Sequence, residues 1–235
     1  MVIREFSIST IRQKIRPLQY SQAGFTLIEI GIAIFILGVV FTGILAIFPI
    51  GIESTKRVAQ HSNASILSEL ALSELKTVDM VGVVGTMTAG QSYTYPDISD
   101  INKDKPFEDS AGNTVFAQYS WQAVLKSINT TDANLIRAQI SIFMNGNPSE
   151  FGTGTANFTQ DSANVQYTTP LPSKLTSKQY IREQNEAFWY RIDTIDTNTS
   201  TIVLEGPYLG SSGSGLAFST TDDIIDIFET MLAKH

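Results

Sequence analysis

The sequence has no cysteine and only two histidines, His61 and His235. The first absence excludes disulfides, thiolate nucleophiles and thiolate-ligated metals. The second leaves little for imidazole-based catalysis, and no Walker, GxSxG, HExxH or EF-hand pattern occurs anywhere in the chain. No catalytic constellation stands out, so the chain is expected not to be an enzyme, with no cofactor and no bound metal. Positive charge is also scarce, 16 Lys and Arg against 23 Asp and Glu. Its placement is uneven. Arg4, Arg12, Lys14 and Arg16 against Glu5 give residues 1–24 a charge of +3, which leaves −10 for the remainder. An acidic body of that kind argues against general nucleic-acid binding, and no nucleic-acid partner is expected.

What the chain does have is one long uncharged run. From Ile30 to Ile52 there are 23 residues without a charge, about 35 Å as helix, enough to cross a hydrocarbon core of ~30 Å. A secretory signal has a shorter apolar region followed by a small-x-small cleavage site, and neither fits here. Four basic residues precede the run, while Lys56 and Arg57 follow it. That bias places the N-terminus in the cytoplasm and the C-terminal body outside, a single-pass arrangement in the cytoplasmic membrane. Pro49 lacks an N–H and crowds the carbonyl of Leu45, so a helix kink is expected there. Gly31, Gly38, Gly43 and Gly51 form no GxxxG pair.

Immediately before the run stands Gly24-Phe25-Thr26-Leu27-Ile28-Glu29. A carboxylate inside an apolar segment costs about 2 to 4 kcal/mol on the lenient insertion scales, so Glu29 needs a partner or a purpose.

Beyond the span, Leu67, Leu70, Ala71, Leu75 and Val78 recur at steps of three and four, which predicts an amphipathic continuation of the helix over 53–81, stopped by Gly82 and Gly85. His61 falls on its polar part and is expected to be solvated. Residues 82–114 read mainly as loop. Alternation predicts strands over 115–126 and 135–144, an antiparallel pair, and a second pair over 187–195 and 201–205 with a turn through 196–199. The polar stretch 145–185 reads as a long excursion with a short helical turn near 177–184, and Gly210 to Gly215 as a flexible loop. For 223–232 the pattern leaves helix and strand open. The sum is an α+β fold: a long N-terminal helix, membrane half plus amphipathic half, covering a small antiparallel β-sheet.

A basic leader ending in glycine, then Phe-Thr-Leu-Ile-Glu, then a membrane helix leading into an outer β domain, resembles the type IV pilins and type II secretion pseudopilins. The motif covers six residues and the layout the whole chain. The resemblance implies a prepilin peptidase that cuts between Gly24 and Phe25 and N-methylation of Phe25. It also implies assembly into a pilus or pseudopilus through Glu29. Its partners would be that peptidase, other pilin or pseudopilin subunits and membrane lipid. The division expected is a cleaved leader over 1–24, a membrane half over 25–52, an amphipathic half over 53–81 and an outward β-rich domain over 82–235. A long leader, a proline about one turn further along than in many pilins, and the lack of a C-terminal cysteine pair point to a minor pilin or pseudopilin. Some pseudopilins bind calcium, but the acidic loops at Asp97 to Asp104 and Asp193 to Asn198 lack supporting glycines and read as solvated turns. The alternative is a single-pass membrane protein whose outer domain binds a partner without polymerising.

Overall fold

The computed structural model describes residues 24–78, 92–127, 135–144, 152–168, 170–172 and 175–233. Two compact units divide the chain, Met1–Glu53 and Ser54–His235. Helix α1, Leu27–Thr77, contributes residues to both.

In the first unit every described residue is exposed. The apolar run is helical throughout, with Pro49 inside the helix and no interruption at it. An 18-residue window of this helix has a mean hydropathy of 2.8 and none of it is buried, which makes it long and apolar enough to cross a membrane.

The second unit has eleven described strands: β1 Ser92–Tyr95, β2 Lys105–Pro106, β3 Tyr119–Ser127, β4 Leu135–Met144, β5 Gly152–Phe158, β6 Asn164–Tyr167, β7 Tyr180–Glu183, β8 Trp189–Asp196, β9 Thr201–Leu204, β10 Gly213–Thr221 and β11 Ile224–Ala233. They form two layers. An open sheet runs β1-β3-β4-β11 with β2 also on β3, and the six strands β10-β5-β6-β9-β8-β7 close into a barrel. All described pairings are antiparallel. The barrel is an insertion between β4 and β11, the last strand returning to complete the sheet.

Ala64, Leu67, Ala71 and Leu75 of α1 are at most 2% exposed and pack on Trp121, Ala123 and Leu125 of β3 and Ile136, Ala138, Ile140 and Ile142 of β4. Period two sends alternate residues of these strands to one face. The opposite face meets the barrel: Val124 joins the barrel cluster, and Phe143 packs with Tyr180, Trp189 and Ile224. Phe158, Ile181, Phe188, Ile192, Tyr208 and Phe218 belong to the barrel's buried core. Packing there is close enough that a Cβ on Gly210 would fall 2.2 Å from the Tyr208 hydroxyl.

Several expectations need correction. Four expected strands become eleven described ones; β5 and β6 are short and rich in Gly, Thr, Asn and Gln, and the four residues of β7 include Arg182 and Glu183, leaving no clean alternation to read. The helical turn near 177–184 is strand β7, entered through Lys178 at φ 71. Residues 82–114 include β1 and β2. The strand expected from Val115 begins at Tyr119: Val115 and Phe116 are 49% and 41% exposed, ahead of a turn whose Tyr119 N–H donates to Phe116 at 2.8 Å. Strands β3 and β4 are buried on both faces, not one, since layers cover them on both sides. The open question at 223–232 resolves as strand: β11 pairs β4 from Ile224 to Ala233. Residues 213–215, expected as flexible loop, begin β10. Leu70, assigned to the apolar helix face, is 48% exposed. Helix α1 ends at Thr77, while 79–81 and the glycines expected to stop it lie outside the described residues. His61 is not simply solvated: its Nδ1 lies 3.1 Å from the Asp226 carboxylate on β11.

Candidate functional site at the start of the helix

Gly24, Phe25 and Thr26 precede the first helical residue, Leu27, and none is helical. Phe25 is 82% exposed, and a side chain at Gly24 would meet nothing within 4 Å. Among the described residues nothing therefore obstructs the backbone at the Gly24–Phe25 peptide bond.

Thr26 caps the helix. Its carbonyl accepts from the Ile30 N–H at 3.2 Å, the first helical hydrogen bond. Its hydroxyl oxygen accepts from the Glu29 N–H at 3.3 Å, and the Glu29 carboxylate accepts from the Thr26 N–H at 3.2 Å and the Thr26 hydroxyl at 3.1 Å. This is a reciprocal capping box, two N–H groups satisfied by two side chains. Such a cap contributes about 1 kcal/mol, and a carboxylate in the first turn gains a further ~0.3 to 1 kcal/mol from the helix dipole. Together these offset part of the cost of placing Glu29 in an apolar segment. Thr26-x-x-Glu29 carried the signal in the sequence, a Thr followed three residues later by Glu ahead of an apolar run. The carboxylate is thus not without a partner, although that partner is neutral.

Gly24, Phe25 and Glu29 lie within six consecutive residues, the first two ahead of the helix and Glu29 in its first turn. Pro49 is separate, twenty residues further along α1.

In the second unit the acidic loops close on themselves. Asp97 accepts from the Ser99 N–H and hydroxyl and from Lys103, Asp100 accepts from the Asn102 N–H, and Asp196 from Asn198 and Thr199. Asn102 in turn receives the Arg182 guanidinium. The Ser99 hydroxyl and N–H, with Lys103, pull the Asp97 carboxyl down to about 2, and the Thr199 hydroxyl and Asn198 N–H hold Asp196 below its ordinary value. Among the described residues no group of three His, Asp or Glu side chains is arranged to hold a metal. A cleft of about 380 Å³ between sheet and barrel is flanked by two ion pairs, Arg137 with Glu229 at 2.8 Å and Arg191 with Glu205 at 3.4 Å.

No curated protein and no solved structure matches this chain. Residues 20–45 match the family model described as the prokaryotic N-terminal methylation motif, so the chain carries, at the start of its one long described helix, the signature of type IV pilin and pseudopilin precursors.

Proposed function

We propose that the chain is a minor pilin or pseudopilin. A prepilin peptidase removes the leader over 1–24 at Gly24–Phe25, and the new Phe25 amine is methylated. The mature protein is held in the cytoplasmic membrane by residues 25–52, with the N-terminus inward. The amphipathic helix over 53–81 and the β-rich domain over 82–235 lie outside. From there it is incorporated with other subunits into a pilus or secretion pseudopilus. Its role is structural and not enzymatic.

The observation that carries this reading is the coincidence of the methylation motif with a helix capped by Thr26 and Glu29 whose apolar first half is wholly exposed. Cleavage creates a cation one residue before the Thr26 N–H that Glu29 already holds. In a filament of staggered helices, Glu29 of one subunit meets the Phe25 amine of its neighbour, and low dielectric strengthens the pair. Pro49 gives the membrane half its one built-in point of bending.

Glu29→Ala tests the assembly role. The variant is expected to insert and be processed while failing to enter filaments; incorporation at the wild-type level contradicts the pairing.

A further inference from the structure

The two edges of the open sheet are built differently. At one edge β1 and β2 lie along β3 with a gap between them, where the Gln122 side chain donates to the Ile101 and Lys103 carbonyls at 2.7 and 2.9 Å. Strands of four and two residues, a loop between them held by the Gln122 and Arg182 side chains and Pro106 in the second all blunt that edge against further pairing. The other edge is β11. It runs ten residues and pairs along its length with β4, with one irregularity between Ile224 and Asp226. Among the described residues no second strand pairs with it. From Ile227 to Ala233 it has no proline, no lysine and a single charge, Glu229.

Backbone direction along β11 can be read from one contact. The Ile227 N–H donates to the Asp226 carboxylate at 2.9 Å and so does not serve the β4 ladder. In an antiparallel edge strand every second residue turns both N–H and C=O outward, so Ile227, Glu229 and Met231 form the outward set. Between them Phe228 and Leu232 point to the helix side and pack only partly covered on its core cluster, and Met231 is 61% exposed on the other side.

We propose that the outer edge of β11 receives an extended strand from a different subunit of the same assembly, a segment with apolar residues at alternate positions and no acidic residue opposite Glu229. Only an extended backbone matches a row of outward N–H and C=O groups, and its apolar residues complete the cover over Phe228 and Leu232. A second copy is a poor occupant. Pairing β11 with β11 about a two-fold axis normal to the sheet reverses residues 54–77 of one copy against the other, and brings two acidic bodies together. This inference rests on the proposed assembly role but concerns a different contact from Glu29.

The test follows hydrogen exchange in the full-length protein, dispersed in detergent and then recovered in filaments. In the dispersed form the amides of Phe228, Thr230 and Leu232 are expected to be protected by β4, and those of Glu229 and Met231 to exchange freely. In filaments Glu229 and Met231 slow by about tenfold or more. Met231→Pro, which removes one outward N–H, and Met231→Lys are expected to lose incorporation. Met231→Ala keeps the N–H and is expected to retain it. The Phe228 and Thr230 amides report whether each variant keeps its sheet.

Three results overturn the proposal. The first is free exchange at Glu229 and Met231 in filaments that contain the processed chain, which leaves the assembly reading standing. The second is protection of those amides already in the dispersed form that grows with concentration, which makes the occupant a second copy. The third is wild-type protein that is neither processed nor incorporated, which removes the assembly reading as well.

Discussion

The side-chain amide of Gln139 pairs with both backbone groups of Trp189. Its Nε2 donates to the Trp189 carbonyl at 2.9 Å and its Oε1 accepts from the Trp189 N–H at 2.8 Å. Gln139 lies on β4 and Trp189 opens β8, and both are at most 1% exposed. The amide therefore stands in for a neighbouring strand and ties the sheet to the barrel where no ladder runs between them. Gln139→Leu leaves two buried backbone groups unpaired, at about 1 to 3 kcal/mol each. Denaturant unfolding of the full chain in detergent is expected to show that loss. A variant within about 0.5 kcal/mol of wild type shows that the bridge is dispensable.

The helix face can be tested by contrast. Leu67 and Leu75 are buried against the sheet, whereas Leu70, one residue before the buried Ala71, is half exposed. Leu75→Ala is expected to destabilise the second unit by about 2 to 5 kcal/mol through lost burial and a residual cavity. Leu70→Ala is expected to change it by less than about 0.5 kcal/mol. Equal losses place the interface elsewhere on α1.

That contrast also marks how far the sequence was legible. Steps of three and four identified an amphipathic helix, but Leu70 satisfies the spacing while lying off the centre of the stripe that Ala64, Leu67, Ala71 and Leu75 define. Strands β4, β8 and β9 were readable because their apolar residues alternate or cluster. Strand β7, with Arg182 and Glu183 both almost fully buried, was not, because two of its four residues are charged yet face inward: the Arg182 guanidinium meets the Ile101 carbonyl, distant in sequence, and lies over the Trp189 ring at 4.3 Å, while Glu183 accepts from the N–H and side-chain amide of Asn185. Gly24, Phe25 and Glu29 were proposed from local spacing alone, and the methylation-motif match covers all three. What local spacing also held, and the apolar run overshadowed, was the cap between Thr26 and Glu29.

The pH dependence of the second unit has a defined sign at Asp97. Its carboxyl is held at about 2 against an ordinary 3.8 by hydrogen bonds from the Ser99 hydroxyl and N–H and by Lys103. A depressed carboxylate contributes stability that is complete above its unfolded value and is lost as pH falls through the folded one. The Asp97 contribution is therefore expected to fade between pH 4 and pH 2 and to be absent in Asp97→Asn. Carboxyl titration by NMR checks it directly; a midpoint near the ordinary value contradicts the turn geometry.

Lys126 and Glu186 form a pair at 2.6 Å with side-chain exposures of 15% and 11%, and Glu186 also accepts from Ser92 and Ser211. Breaking it from one side leaves a charge buried without its counterion, at about 3 to 5 kcal/mol. Lys126→Met is expected to cost that much, and Lys126→Met with Glu186→Gln together less than Lys126→Met alone. Additive losses in the double variant contradict a coupled pair.

The account as a whole turns on the bond between Gly24 and Phe25. Mass spectrometry of the chain recovered from membranes of cells that contain a prepilin peptidase reads its state directly. The expected result is a mature protein beginning at N-methyl-Phe25, with the capped helix and Glu29 intact behind it. A chain that retains Met1 and residues 2–24 contradicts processing, and with it the assembly that processing enables.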